Sequence, residues 1–276
     1  LAKKAGPWNL AVHPISNEIV VSQGSKLRIF KINAKKPEMS VAANTGNGIS
    51  AQAFSFLASE KRIAFLWNSM LCVRDFSDND PKNILWRHSL PFHASTNLKV
   101  SRDGRVAAVN DISKMNAQYF RWNGSEMQAW KTPAVPASSD LLLDTFGDRI
   151  WSLGKVHWIA NGTLQSTLDY QQLKRATGIS TRDWVGSDHA VEIVTTSSGN
   201  DEGKGDSQGR ALVLWDLRTG KNSRQVSARD AVGVAVSPDG NHIAEAGADM
   251  RVRIRNAWTL SEEQSFRAHD QPLTSI

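Results

Sequence analysis

Residues 231–255 read AVGVAVSPDGNHIAEAGADMRVRIR, and they decide the fold. The apolar run Ala231–Val236 ends at Ser237-Pro238-Asp239-Gly240, where Pro presets φ and Asp-Gly supplies a tight reversal. Asn241–Gly247 reads as a second strand, closed near Asp249. Arg251, Arg253 and Arg255 alternate with Val252 and Ile254, the period of a third strand. Glu262 to Phe266 reads as a fourth. Ala268-His269-Asp270 then leads into Pro272–Ile276, which looks like the first strand of another unit. A unit of about forty residues holding four strands is the period of a propeller or array, so repeats are sought along the whole chain.

Upstream, Ala211–Lys221 (ALVLWDLRTGK) is a strand followed by a turn. The LVLWDLRTGK, VAVSPDG and RAHD stretches resemble WD40 repeats. That family carries a Trp-Asp pair at the end of the third strand of each four-stranded blade, and often a Gly-His pair before the first. Trp215-Asp216 is the one Trp-Asp pair present. Stepping back from Trp215, the matching positions are Trp158, Phe120, Arg74 and Phe30, with Arg255 ahead of it. The intervals from Phe30 onward are 44, 46, 38, 57 and 40 residues, around the 40–45 of such blades. The long interval holds the polar, Gly-rich stretch Ser197–Gly209, read as a flexible loop.

First-strand turns recur in step at His13-Pro14, Ser101–Gly104, Phe146–Asp148, Gly186–Asp188 and Ser237–Gly240. Asn123-Gly124 and Asn161-Gly162 sit between third and fourth strands, where Asn-Gly favours positive φ at both central positions. Six units follow, at 7–47, 48–94, 95–137, 138–178, 179–228 and 229–270, with a partial seventh at 271–276. The expected fold is an all-β propeller of four-stranded antiparallel blades, read as one domain over 1–276. Tyr170–Thr177 is the one stretch with a helical pattern. The resemblance also implies a buried network of His, Ser or Thr, Asp and Trp in each blade. No unit holds the full set, and Arg74 and Arg255 occupy the Trp position in units two and six.

The chain has 276 residues, 40% apolar and 22% charged. This is an ordinary globular balance that excludes disorder for its bulk. One cysteine, Cys72, excludes an intrachain disulfide and a Cys-based zinc site. No apolar run is long enough to span a membrane, and no signal-peptide pattern is present. The chain begins at Leu1 and stops inside an apparent first strand. The expectation is therefore a fragment of a longer protein, its compartment open, whose last unit needs further chain or the segment Leu1–Pro7 to complete it.

Net charge is +6, from 33 Lys+Arg against 27 Asp+Glu. The basic residues are dispersed, with small clusters at Lys3-Lys4, Lys35-Lys36 and Arg251/Arg253/Arg255. That pattern reads as a solvated basic surface rather than a nucleic-acid interface. Among the seven histidines, His88 and His93 flank Pro91 on an expected loop, too few ligands for a metal. His269 is read as structural, at a junction between units. Cys72 reads as a small buried hydrophobe. Neither a nucleophile elbow nor a Walker-type loop is present, and Asp201, Glu202 and Asp206 do not have calcium-loop spacing. Asn123-Gly124-Ser125 and Asn161-Gly162-Thr163 match the glycosylation pattern, but the turns already account for them. Of the ten tryptophans, Trp158 and Trp215 are expected to pack between blades.

No cofactor, metal or catalytic set is implied. The resemblance implies a non-catalytic protein-interaction scaffold or recognition module. The alternative is the sensor or targeting propeller of a larger kinase, protease or NTPase. Loops joining fourth to first strands and second to third strands share one face, the usual docking side in the family. Trp8, Trp67, Lys114, Arg182, Arg229, Asp249 and Met250 fall on or beside them. These combine aromatic anchors with Arg, the hot-spot types, and suit a protein or peptide with acidic or phosphorylated segments.

Overall fold

A computed structural model describes residues 10–12, 18–23, 26–31, 40–44, 54–57, 62–67, 69–75, 84–91, 98–111, 114–137, 141–173, 176–198, 207–268 and 270. The first sheet holds β1 (Leu10–Val12), β2 (Glu18–Gln23), β3 (Lys26–Lys31) and β4 (Ser40–Asn44). The second holds β5 (Phe54–Leu57), β6 (Arg62–Trp67), β7 (Met70–Asp75) and β8 (Trp86–Ser89). The third holds β9 (Leu98–Val100), β10 (Val106–Asp111), β11 (Asn116–Trp122) and β12 (Met127–Trp130). The fourth holds β13 (Leu142–Leu143), β14 (Arg149–Ser152), β15 (Lys155–Trp158) and β16 (Leu164–Thr167). The fifth holds β17 (Ala176–Val185), β18 (His189–Ser198), β19 (Ser207–Asp216) and β20 (Lys221–Ser227). The sixth holds β21 (Ala231–Val236), β22 (His242–Gly247), β23 (Arg251–Asn256) and β24 (Glu262–Arg267). In each sheet the strands lie side by side in chain order, so neighbours in sequence are neighbours in space.

Turn chemistry fixes these hairpins. Ser101 and Ser237 donate their hydroxyls to Asp103 and Asp239 at 2.6 and 2.5 Å. Each hydroxyl accepts the N–H that opens the next strand, from Val106 at 3.0 Å and His242 at 2.9 Å. The same Asp oxygens accept from the N–H groups of Arg105 and Asn241. In sheet four Asp144 replaces the serine, accepting from the N–H groups of Asp148 and Arg149. Gly240, at φ 74°, takes the left-handed conformation that the reversal requires. The Asn-Gly turns differ from expectation. Asn123 and Asn161 are absent from the positive-φ residues; only Gly124 and Gly162 are there. Each Asn acts through its side chain, accepting the N–H of Ser125 or Thr163 at 3.0 Å, an Asx-turn. Asp216 and Asn256 do the same in sheets five and six.

The chain divides into two compact units, Leu1–Leu153 with His157–Thr163, and Gly154–Val156 with Leu164–Ile276. In the first, the central strands β6, β7 and β10 are buried on both faces, which is why they read as apolar runs rather than alternations. On β6, Ile63 and Phe65 pack with Val20, Phe54, Phe56 and Cys72. Ala64 and Leu66 point the other way, into a cluster with Leu98, Ala107, Val109, Phe120 and Trp122. On β10, Val106 and Ala108 pack with Tyr119, Leu141, Leu143 and Ile150. Burial pushes the Cys72 thiol up to about 12, a shift that the charge of Arg87 partly opposes.

In the second unit, Val191, Ile193, Leu212 and Leu214 pack against Val234, Val236, Ile243 and Leu260. Two buried carboxylates stand in for the polar network the family resemblance implies. Glu192 on β18 accepts from Trp215 Nε1 at 3.0 Å and Tyr170 OH at 3.2 Å. Glu245 on β22 accepts from Arg255 Nε at 2.6 Å, and Arg255 Nη1 donates to Leu260 O at 3.1 Å. Glu192 pairs with Val213 and Glu245 with Arg253, each two residues before the donor. Trp215 and Arg255 therefore occupy equivalent positions, and arginine there is a bonded substitute rather than a gap.

Several expectations need correction. The helical stretch is a single 3-10 turn at Tyr170–Gln172, and β17 starts at Ala176, inside the range assigned to the fourth unit. Ser197–Gly209 is not all loop, because the β18–β19 ladder continues to Ser198↔Ser207. His88 lies on β8, stacked on Trp86 at 5.8 Å and edge-on to Phe120. Trp158 ends β15 with 42% of its surface exposed, beneath the Arg149 guanidinium. The tryptophans buried in the sheets include Trp151 and Trp184. The turn at His13-Pro14, His93, His269, the acidic trio Asp201, Glu202 and Asp206, and residues 271–276 lie outside the described residues.

Candidate partner-binding face

Antiparallel order sends the second-to-third loop and the fourth-to-first connection to the same end of each sheet. There they are joined main chain to main chain. Leu90 N–H donates to Ser69 O, and Ala137 N–H to Met115 O, both at 2.8 Å. Leu168 N–H donates to Gly154 O at 2.8 Å and Ala268 N–H to Met250 O at 3.0 Å. The loop residues Ser69, Met115, Gly154 and Met250 all have φ between 50° and 70°. This left-handed kink turns the carbonyl toward the connection that follows the fourth strand: the first residue past it at Leu90, Leu168 and Ala268, and Ala137 further along after β12. Each of these four sheets therefore presents a braced loop pair at its own end rather than separate loops.

In the first unit, Lys114 stands on the β10–β11 loop, 66% exposed, its Nζ 3.9 Å from Asp111. Met115 beside it is 54% exposed. Trp67 closes β6 opposite Met70. Trp8 is outside the described residues.

In the second unit, Arg229 is exposed on the turn between β20 and β21. Ala231 N–H closes that turn onto Ala228 O, and Ala248 N–H donates to Asp230 O at 2.7 Å. The Arg229 turn is thus tied to the Ala248–Met250 loop. Asp249 is clasped by both terminal nitrogens of Arg253 and accepts the Arg251 N–H. The Arg253 hydrogen bond is the largest influence lowering the carboxyl pKa, and Asp249 in turn raises that of Arg253. The clasp needs Gly247, since a Cβ there would stand 2.0 Å from Asp249 Oδ1. Arg267 Nη2 reaches Met250 Sδ at 3.7 Å.

Arg182 is the misplaced member of the expected set. It lies within β17 with its side chain only 4% exposed, 3.8 Å from the buried Glu192. Register shifts at Ala176/Gly178 and Ile179/Arg182 reset the alternation of the strand, and a bulge re-aims side chains. Two exposed apolar residues at this end were missed, Met115 and Leu153. For Met115 a signal existed: Lys114-Met115 and Asp249-Met250 are both charge-methionine pairs closing a second-to-third loop.

No protein-family profile and no curated protein matches the chain. Among solved structures it is similar to a chain of one titled "Crystal Structure of Mitotic Checkpoint Complex", with a TM-score of 0.67 and 14% identity. The match covers 100% of this chain and 90% of that one. In all, 1296 solved chains match, too broad a set to carry a function. What the match establishes, together with six sheets of consecutive strands, is the architecture: an all-β, WD40-like β-propeller fold.

Proposed function

We propose that the protein is a non-catalytic interaction scaffold that docks proteins or peptides on the braced end of its sheets. The observation that carries this reading is the repeated main-chain tie between loop and connection. It holds Lys114, Met115 and Met250, and the separate Ala248 N–H to Asp230 O bond holds the Arg229 turn, on backbone supports that need no ordering when a partner arrives, and preorganisation lowers the cost of binding. Methionine and arginine are enriched at interfaces. The net charge of +6 and the exposed Lys114 and Arg229 favour a partner with acidic or phosphorylated segments. Among the described residues, two buried arginines are engaged in structural pairs, Arg149 with Asp144 at 2.9 Å and Arg255 with Glu245, which supports a structural role for these charges.

The test is quantitative affinity capture from the source cells, with wild type beside Lys114→Glu and Arg229→Glu. Partners specific to this end should lose more than about 1 kcal/mol of affinity with each variant, at an unchanged melting temperature. A partner set unaltered by both reversals would refute the reading.

A further inference from the structure

Among the described residues, glycine follows Asn or Asp at four places, Asp103-Gly104, Asn123-Gly124, Asn161-Gly162 and Asp239-Gly240. Such a pair can react with itself, because glycine has no Cβ to bar the approach of its nitrogen to the side-chain acyl carbon before it. All four lie on hairpin turns, so the turn alone singles out none of them. What differs is the glycine N–H. That of Gly104 is tied to Ser101 O at 2.8 Å, that of Gly162 to Trp158 O at 2.9 Å and that of Gly240 to Ser237 O at 2.9 Å. Gly104 and Gly240 are also buried. Gly162 is half-buried, and a Cβ there would stand 3.1 Å from Pro133 Cβ. Gly124 is exposed, and no acceptor among the described residues takes its N–H.

The Asn123 amide meets this nitrogen already polarised. Its Oδ1 accepts from Ser125 N–H at 3.0 Å, Ser125 Oγ at 2.9 Å and Glu126 N–H at 2.9 Å. The ring closed by Oδ1 and the Ser125 N–H contains both Cγ and the Gly124 nitrogen, so the turn keeps the two reacting atoms together. When that nitrogen adds to Cγ, negative charge develops on Oδ1, where three donors already point. Donors fixed in advance at such an oxygen lower the barrier. The Arg62 guanidinium donates to Gly124 O, and a cation there favours loss of the amide proton. Asn161 Oδ1 also accepts, from Thr163 N–H at 3.0 Å and Thr163 Oγ1 at 2.7 Å, but its neighbouring nitrogen is held by Trp158.

We propose that Asn123 is a self-modifying site, which deamidates through a cyclic imide formed with the Gly124 nitrogen. The nitrogen gives its proton to hydroxide and bonds to Cγ. The Cγ–Nδ2 bond breaks, and Nδ2 leaves as ammonia with a proton from water, which restores the hydroxide. Water then opens the imide at either carbonyl, giving aspartate or isoaspartate. The sum is amide plus water to acid plus ammonia, with no oxidation or reduction. Isoaspartate routes the main chain through the side-chain carbon. It lengthens the link between Trp122 and Gly124 by one carbon and disturbs the Trp122↔Met127 pairing beside the turn. The hairpin of β11 and β12 thus records the age of the molecule.

The test holds the whole chain at mildly alkaline pH, in native buffer and in urea. Aspartate and isoaspartate are counted at positions 123 and 161 by mass spectrometry of peptides. In native buffer Asn123 should convert at least about fivefold faster than Asn161, the factor one hydrogen bond is worth. In urea the Asn-Gly-Ser and Asn-Gly-Thr sequences should convert at similar rates, and Asn123 no faster than in the native chain. Ser125 is exposed, so Ser125→Ala should keep the melting temperature while slowing native conversion at Asn123 about fivefold. Ser125→Thr, which keeps the hydroxyl, should match wild type. Equal native rates at the two asparagines overturn the proposal, with no variant needed. A native rate at Asn123 below its rate in urea overturns it too, since the turn would then protect the residue. So does a Ser125→Ala rate equal to wild type.

Discussion

Replacing Arg255 by methionine leaves the Glu245 carboxylate buried without its shortest partner, the 2.6 Å bond from Arg255 Nε. Removing one member of a buried pair costs about 3–5 kcal/mol. Arg253 Nη1 remains 3.8 Å from the other carboxylate oxygen, so the lower figure, about 3 kcal/mol, is expected. Arg255→Trp should behave differently, because Trp215 at the equivalent position bonds Glu192 at 3.0 Å. A hydrogen bond to a charged group is worth about 1.5–3 kcal/mol, which leaves Arg255→Trp about 1 kcal/mol below wild type. The double variant Glu245→Leu/Arg255→Met removes both charges and should return to within about 1 kcal/mol of wild type. Equilibrium urea unfolding at constant m value reads all three. A double variant as unstable as Arg255→Met would show that the loss comes from packing and not from the stranded carboxylate. An Arg255→Trp no better than Arg255→Met would refute the equivalence of the two sheets.

Native Cys72, with its thiol pushed up to about 12, should resist a disulfide reagent at neutral pH and react at once in denaturant. Gly247→Ala, forcing Asp249 off Arg253, should lower stability by about 1–2 kcal/mol, and Gly247→Ala with Asp249→Ala should not add a second loss. Arg182→Ala should lower the melting temperature, because the residue is buried against Glu192, unlike Arg229→Ala; thermal unfolding separates them. Asp239 is held down to about 2 from 3.8, chiefly by the Ser237 hydroxyl and then by the Asn241 N–H. A carboxyl depressed on folding stabilises above its unfolded value, and that contribution fades as pH falls from about 4 through about 2. Asp239→Asn should therefore flatten the dependence of stability on pH in that window, measured by urea midpoints across it.

The fold was legible where structure is local. Ser237-Pro238-Asp239-Gly240 and Ser101–Gly104 write their turns in four residues, and the apolar runs on β6 and β10 announce burial on both faces. Legibility failed where a signal depends on something other than apolar pattern. The ladder at Ser197↔Gln208 is paired by main chain, which polar residues do as well as apolar ones. Arg182 was lost to the bulges before it, which an alternation count cannot see. Asn123 was assigned by dihedral preference when its side-chain oxygen shapes the turn. Within the candidate face, Lys114, Arg229 and Met250 followed from loop position alone, whereas the ties through Met115 and Met250 carbonyls are main-chain bonds that no residue type records.

Strand order within each sheet also has a consequence during synthesis. Each of the six described sheets is built from consecutive strands, so no described strand in it waits for a distant part of the chain. Translation delivers about 5–20 residues each second, and a hairpin closes in about 1–10 μs. A nascent sheet can thus zip as it leaves the ribosome, long before the next is made. The vulnerable interval comes afterwards, when a finished sheet such as β5–β8 holds Ile63 and Phe65 on one face and Ala64 and Leu66 on the other. Its leading face stays wet for the seconds needed to deliver β9–β12, and chaperone binding should track that face.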